Sequence, residues 1–158
     1  MGMTTFVVTN GTNPEMVGSL KPTQLYISLN APDKETYQKA CAPLADTWDN
    51  IKQSLEIMKG SKTRTAVRIT LTKGVNMNSP EGYARLIGLA EPDYVELKAY
   101  MHLGFSRNRL SRDSMPSHQE VLDVSKKVAQ SLDYCIADSS ESSRVVLLSK
   151  DGKKTGIV

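Results

Sequence analysis

Ala66-Val67-Arg68-Ile69-Thr70-Leu71-Thr72 decides the architecture of this chain. Side chains alternate across a pleated strand, so Val67, Ile69 and Leu71 share one face and Arg68, Thr70 and Thr72 the other. The same division recurs on both sides of it. In Gln24-Leu25-Tyr26-Ile27-Ser28-Leu29-Asn30 the odd positions are aliphatic and the even ones polar or amphipathic. In Tyr94-Val95-Glu96-Leu97-Lys98-Ala99-Tyr100-Met101-His102, Val95, Leu97, Ala99 and Met101 oppose Glu96, Lys98, Tyr100 and His102. An open sheet with helices on both faces would want apolar residues on both. Strands with one apolar face predict a barrel or part-barrel, with helices outside and a polar interior. A site then belongs at the C-terminal ends of the strands. The alternative is an antiparallel sheet with one wet face, which the intervening helices disfavour.

Those helices follow from their start and stop signals. Thr4–Asn10 reads as a first strand, and Asn13-Pro14-Glu15 opens a short helix with Asn13 as cap. Pro32 and Asp33 start another helix. Asp46–Lys59 is a longer one, with Asp46 as cap and Gly60 as stop. Ser79-Pro80-Glu81 opens a helix to Ala90, and Ser117 with Glu120 forms a capping-box pattern for a helix to Leu132. Short strands are expected at Tyr134–Ala137 and Arg144–Ser149. Strand and helix in this rhythm predict βαβ units and a parallel sheet. The fold class is therefore α/β, part of a parallel (βα) barrel of about four βα units, with a C-terminal α+β extension. Residues 1–103 make the barrel part, and residues 104–158 make a basic loop, a helix and short strands. Four units are only part of a barrel, so an open edge is expected on each side.

The chain has 158 residues, 39% hydrophobic and 23% charged, which suits one domain with a real core. No apolar run reaches the roughly 20 residues of a membrane span, and the N-terminus lacks signal-peptide features. A cytoplasmic location without membrane association is expected. A net charge of +3 permits a nucleic-acid partner without requiring one. Cys41 and Cys135 are the two cysteines, far apart in sequence, and make neither a disulfide framework nor a metal site.

Several stretches carry a family resemblance. They are Val7-Val8-Thr9-Asn10-Gly11-Thr12, Pro22–Pro32, Thr63–Gly74, Lys98-Ala99-Tyr100-Met101, Gly104-Phe105-Ser106-Arg107-Asn108-Arg109-Leu110 and Met115-Pro116-Ser117-His118. In this order they resemble the C-terminal portion of archaeal-type tRNA 4-demethylwyosine synthases, which are radical S-adenosylmethionine (SAM) enzymes. The resemblance implies a partial barrel of radical SAM type and a 4Fe-4S cluster on a CxxxCxxC loop. It also implies radical chemistry that joins N1-methylguanosine of tRNA to two carbons of pyruvate. This sequence has no CxxxCxxC and too few cysteines for one such cluster. The metal-binding set is therefore expected in a missing N-terminal half of the barrel, in the same or a separate chain. A non-catalytic tRNA-binding remnant and an aldolase-like barrel enzyme are the alternatives.

Candidate site residues follow. Asn10 offers donor and acceptor, and Gly11 allows close backbone approach. By resemblance Thr9, Asn10 and Gly11 line the SAM pocket; otherwise they form an Asn-Gly turn. Ser28 and Asn30 sit on the polar face within reach of SAM hydroxyls or carboxylate. Arg68 and Thr70 share that face, with Arg68 either a SAM-carboxylate ligand or the ion-pair partner of Glu96. A lysine can condense with the keto group of pyruvate. Lys98 is the first candidate and Lys73 the second, with a plain salt bridge as the alternative role. Tyr100, Arg107, Asn108, Arg109 and His118 are assigned to tRNA and its target base. The arginines suit phosphate gripping and base stacking, or else form a solvated loop, and His118 is otherwise a helix-start neighbour.

Overall fold

The structure is a computed structural model that describes residues 3–153, so positions 1–2 and 154–158 of the two expected regions lie outside the described residues. The strands are β1 (Phe6–Thr9), β2 (Gln24–Ser28), β3 (Arg64–Leu71), β4 (Tyr94–Ala99), β5 (Cys135–Ser140) and β6 (Val145–Ser149). The helices are α1 (Pro14–Ser19), α2 (Lys34–Cys41), α3 (Trp48–Lys59), α4 (Pro80–Ala90) and α5 (His118–Gln130), with 3-10 turns at Gly104–Asn108 and Arg112–Ser114. They form a mixed α/β fold on one six-stranded sheet of order β1-β2-β3-β4-β6-β5. β1 to β4 run parallel. β6 returns antiparallel against β4, and β5 pairs antiparallel outside it. The expected open edge beside β4 is thus covered by a strand from the C-terminal region. Among the described residues, no helix is long and apolar enough to cross a membrane.

The odd-numbered positions of β2 to β4, with the even-numbered ones of β6, form the core. Ile27, Val67, Val95 and Leu148 stand side by side in register, as do Ile69, Leu97 and Val146. They pack with Val17 of α1, Leu55 of α3, Ile87 of α4 and Val128 of α5, all in one buried cluster. These four helices therefore lie against the same face. Burying a side chain of this size stabilises by roughly 1.5–3 kcal/mol, enough to fix which face meets the helices.

The opposite face is graded along the strands. Near their N-terminal ends, Tyr26, Ala66, Tyr94 and Leu147 form a second, small buried cluster. That face is thus not polar throughout: it has an apolar floor. Above the floor come Ser28, Arg68 and Glu96 in register, and above these Thr70 beside Lys98. Polarity increases toward the C-terminal ends.

Helix starts follow the sequence with one exception. Asn13, Asp33 and Ser117 each accept a backbone N–H from the first turn, and Ser117 with Glu120 forms the complete capping box. Asp46 does not cap α3. Thr47 holds that position without a side-chain bond; Asp46, one residue earlier, accepts the Trp48 N–H at 3.4 Å through one oxygen and pairs with the ammonium of Lys34 through the other. β5 runs further than expected, to Ser140, and β6 begins one residue late because Arg144 turns at φ +50.

Candidate functional site

Two clefts open at the C-terminal ends of the parallel strands. The first, about 420 Å³, lies between the ends of β1 and β2 and the α2–α3 segment; Asn10, Ser28 and Asn30 line it together with Tyr37 and Trp48. The second, about 390 Å³, is lined by Asn30, Thr70, Asn76, Tyr100, Ser106 and Arg109. Asn30 and Cys41 border both clefts. Burial pushes the Cys41 thiol up, opposed in part by the nearby Arg109 guanidinium.

The turn after β1 is held from α3. Ser54, fully buried, donates to the carbonyl of Gly11 at 2.7 Å, and Asn50 donates to that of Thr12 at 3.0 Å. Gly11 turns at φ +72, a conformation that disfavours side chains, and an added Cβ would stand 3.2 Å from Ile27. Asn10 closes an Asx turn by accepting from the N–H and hydroxyl of Thr12. Thr9 is aligned with Ile27 and so faces the helix layer rather than the clefts; its hydroxyl accepts from the Gly11 N–H. Thr9 and Gly11 therefore shape the turn, and Asn10 alone of the three borders a cleft.

Arg68 takes the ion-pair alternative. Its Nε and Nη2 donate to the two Glu96 oxygens at 2.8 and 3.2 Å, and the guanidinium lies 4.6 Å from the Tyr26 ring centre. Glu96 is largely covered, so breaking this pair would leave a poorly solvated charge. Neither cleft includes Arg68. Lys98 lies one row higher beside Thr70, and its ammonium makes no ion pair or hydrogen bond among the described residues. The plain salt bridge open to it in the sequence is not formed, because Glu96 is taken by Arg68.

Lys73 lies elsewhere. Its ammonium pairs with Glu120 of α5 at 2.8 Å, and its N–H donates to Ser114. The Lys73 ammonium, then the Ser117 N–H, hold the Glu120 carboxyl below its ordinary value. A depressed carboxylate contributes stability above its unfolded value of about 4.3, and loses it as pH falls through the lower folded value. Glu120→Gln is expected to flatten this acid limb modestly, the pair being half exposed. Thermal melts across pH 3 to 7 check this; identical limbs would remove the role.

Tyr100 donates its hydroxyl to Ser106 at 2.9 Å, and His102 Nδ1 stands 3.4 Å away. Arg109 borders the second cleft, while Arg107 and Asn108 lie on the exposed turn beside it. His118 sits apart, its Nε2 against the hydroxyl of Ser139 on β5 at 3.0 Å.

Asn76 was not evident from the sequence. It is 2% exposed, accepts the Thr72 N–H at 2.7 Å, and donates to the carbonyls of Asn30 and Thr70, both at 2.9 Å. It clasps the ends of β2 and β3 at the cleft. Its one local signal is its place four residues after Thr72, in the turn that leaves the strand.

A family model described as wyosine base formation matches residues 89–150. The tRNA 4-demethylwyosine synthase of Pyrococcus abyssi is 50% identical over 95% of this chain and 46% of its own length. A solved TYW1, described as having a lysine–pyruvate adduct bound, superposes with a TM-score of 0.87 at 38% identity, over 98% of this chain and 49% of its own. Coproporphyrinogen III oxidase from Escherichia coli, a radical SAM enzyme, shares the fold at a TM-score of 0.57 and 18% identity, over 92% of this chain and 34% of its own. The chain spans about half the length of the curated relatives it matches. In sequence and in backbone the chain is similar to the C-terminal portion of the archaeal-type tRNA 4-demethylwyosine synthases.

Proposed function

We propose that this chain supplies the C-terminal half of the radical SAM part-barrel of a cytoplasmic tRNA 4-demethylwyosine synthase. Residues 1–103 contribute four βα units, and residues 104–158 contribute the basic loop, helix and hairpin. The observation that carries the reading is the pair of polar clefts at the strand ends, on a backbone shared with a TYW1 described as holding a lysine–pyruvate adduct.

The first cleft fits SAM. Amide and hydroxyl groups of Asn10, Ser28 and Asn30 offer donors and acceptors for its polar ends, and Tyr37 and Trp48 offer apolar cover. When bound, SAM supplies the hydrogen-abstracting chemistry directed at the methyl group of N1-methylguanosine. A 4Fe-4S cluster is not fitted by this chain. It has two cysteines, and among the described residues no group of three or more metal-ligating side chains comes together. The cluster ligands of the proposed enzyme belong to the part of the relatives that this chain does not span.

Lys98 is the proposed partner of pyruvate. Its neutral amine attacks the keto carbon, water leaves, and a protonated imine forms. Its place on the polar face without an ion-pair partner supports this role, as does Tyr100 two residues on. Incubation with labelled pyruvate and a hydride reductant, followed by peptide mapping, tests it. The expected result is label on Lys98, lost in Lys98→Arg. No label on any peptide of this chain would reject Lys98 and move the pyruvate lysine to the half this chain does not span. A non-catalytic tRNA-binding protein would bind RNA without forming the adduct.

A further inference from the structure

Phe105 is 91% exposed, yet the turn that carries it, Gly104–Asn108, is firmly built. Ser106 donates its hydroxyl to the Leu103 carbonyl at 2.6 Å and accepts from Tyr100 at 2.9 Å. The N–H groups of Arg109 and Leu110 close on the Ser106 carbonyl at 3.0 and 2.9 Å, and Arg107 Nε reaches the Gly104 carbonyl at 3.3 Å. A large ring is thus held outward by hydrogen bonds beneath it. Around it the charge has one sign: from Met101 to Arg112 there are three arginines and no acidic residue. The guanidinium groups of Arg109 and Arg112 make no hydrogen bond or ion pair among the described residues. Ser106, Arg109 and Leu110 also border the second cleft, so the turn that carries the ring stands at its rim.

An exposed aromatic face among arginines that no carboxylate neutralises among the described residues matches an unpaired, phosphate-bearing strand. Every base has a face to stack, and each linkage has a charge to neutralise. We propose that Phe105 stacks on an unpaired RNA base next to the one that enters the cleft, with Arg107, Arg109 and Arg112 holding the flanking phosphates. This rests on the tRNA reading above and names a contact within it. A protein surface packed on Phe105 would not need three arginines left without a carboxylate partner.

The test uses a fluorescein-labelled stem-loop RNA and a blunt duplex of the same stem, read by anisotropy with the chain. Phe105→Ala is expected to weaken stem-loop binding about tenfold, and duplex binding little, since loss of one stacked base is worth about that much. Phe105→Trp is expected to restore stem-loop binding, with indole emission quenched by the stem-loop and not by the duplex, relative to the parent carrying Trp48. Equal stem-loop binding by Phe105→Ala and parent, or no quenching, overturns the proposal. So does a lowered melting temperature of Phe105→Ala with RNA binding intact, which would make the ring a packing residue. A parent chain that binds neither RNA overturns the tRNA reading as well. Stem-loop binding that ignores Phe105 overturns this proposal alone.

Discussion

Asn76→Ala is expected to lower the unfolding free energy by about 3 kcal/mol, measured by urea denaturation of the chain. Three backbone groups lose their partner together: the Thr72 N–H and the carbonyls of Asn30 and Thr70. Each buried group left unsatisfied costs about 1–3 kcal/mol, and water entering from the adjoining cleft offsets part of the sum. Asn76→Asp separates the contributions. It keeps the acceptor for Thr72 but loses both donations, and it sets a carboxylate against two carbonyl oxygens. It is expected to be at least as destabilised near neutral pH and to recover partly in acid, where the carboxylic acid regains one donor. An alanine variant within about 0.5 kcal/mol of the parent, the range of an ordinary surface substitution, would show that the clasp contributes nothing.

Gly82→Ala is expected to cost about 2 kcal/mol, and to lower the melting temperature by roughly 4–8 °C for a chain of this size. Alanine in place of glycine within a helix ordinarily gains about 1 kcal/mol, so the expected sign is reversed. The reason is local crowding. A Cβ at Gly82 would meet the Pro32 ring and the Ser79 hydroxyl at 2.8 Å and the Pro32 carbonyl at 2.9 Å. Pro32 is rigid and its carbonyl belongs to the backbone, so relief requires α4 to move off the β2–α2 loop. Gly88, exposed on the same helix, has nothing within 4 Å of an added Cβ. Gly88→Ala is therefore expected to be neutral or stabilising. Equal effects at both positions would refute the crowding argument.

What the sequence revealed were the features that depend on neighbours along the chain. The alternation in Ala66–Thr72 assigned β3 its two faces. Asn13, Asp33 and Ser117 announced their helices because each caps an N–H only three residues away. What it concealed depends on distant partners. Asp46 has the chemistry of a cap, but it stands one residue before that position and shares its carboxylate between the Trp48 N–H and Lys34, twelve residues earlier. Thr9 shares the Thr-Asn-Gly stretch with Asn10, yet pairing opposite Ile27 turns it to the helix layer. Arg68 and Glu96 are 28 residues apart, and only the parallel register of β3 and β4 joins them and leaves Lys98 without a carboxylate. Asn76 follows no period, and its value lies in two carbonyls, one of them 46 residues away.

The sheet ends on two unlike strands. β5 is polar, and its pairing slips between Ile136 and Asp138, a bulge that blunts an edge against further pairing. β1 is regular, with Phe6 and Val8 about half exposed, and β2 is its one strand partner among the described residues. Counted as valence, the described sheet has one open bond, at β1. On the reading proposed above, the strands of the other half of the part-barrel would fill that bond and continue the sheet.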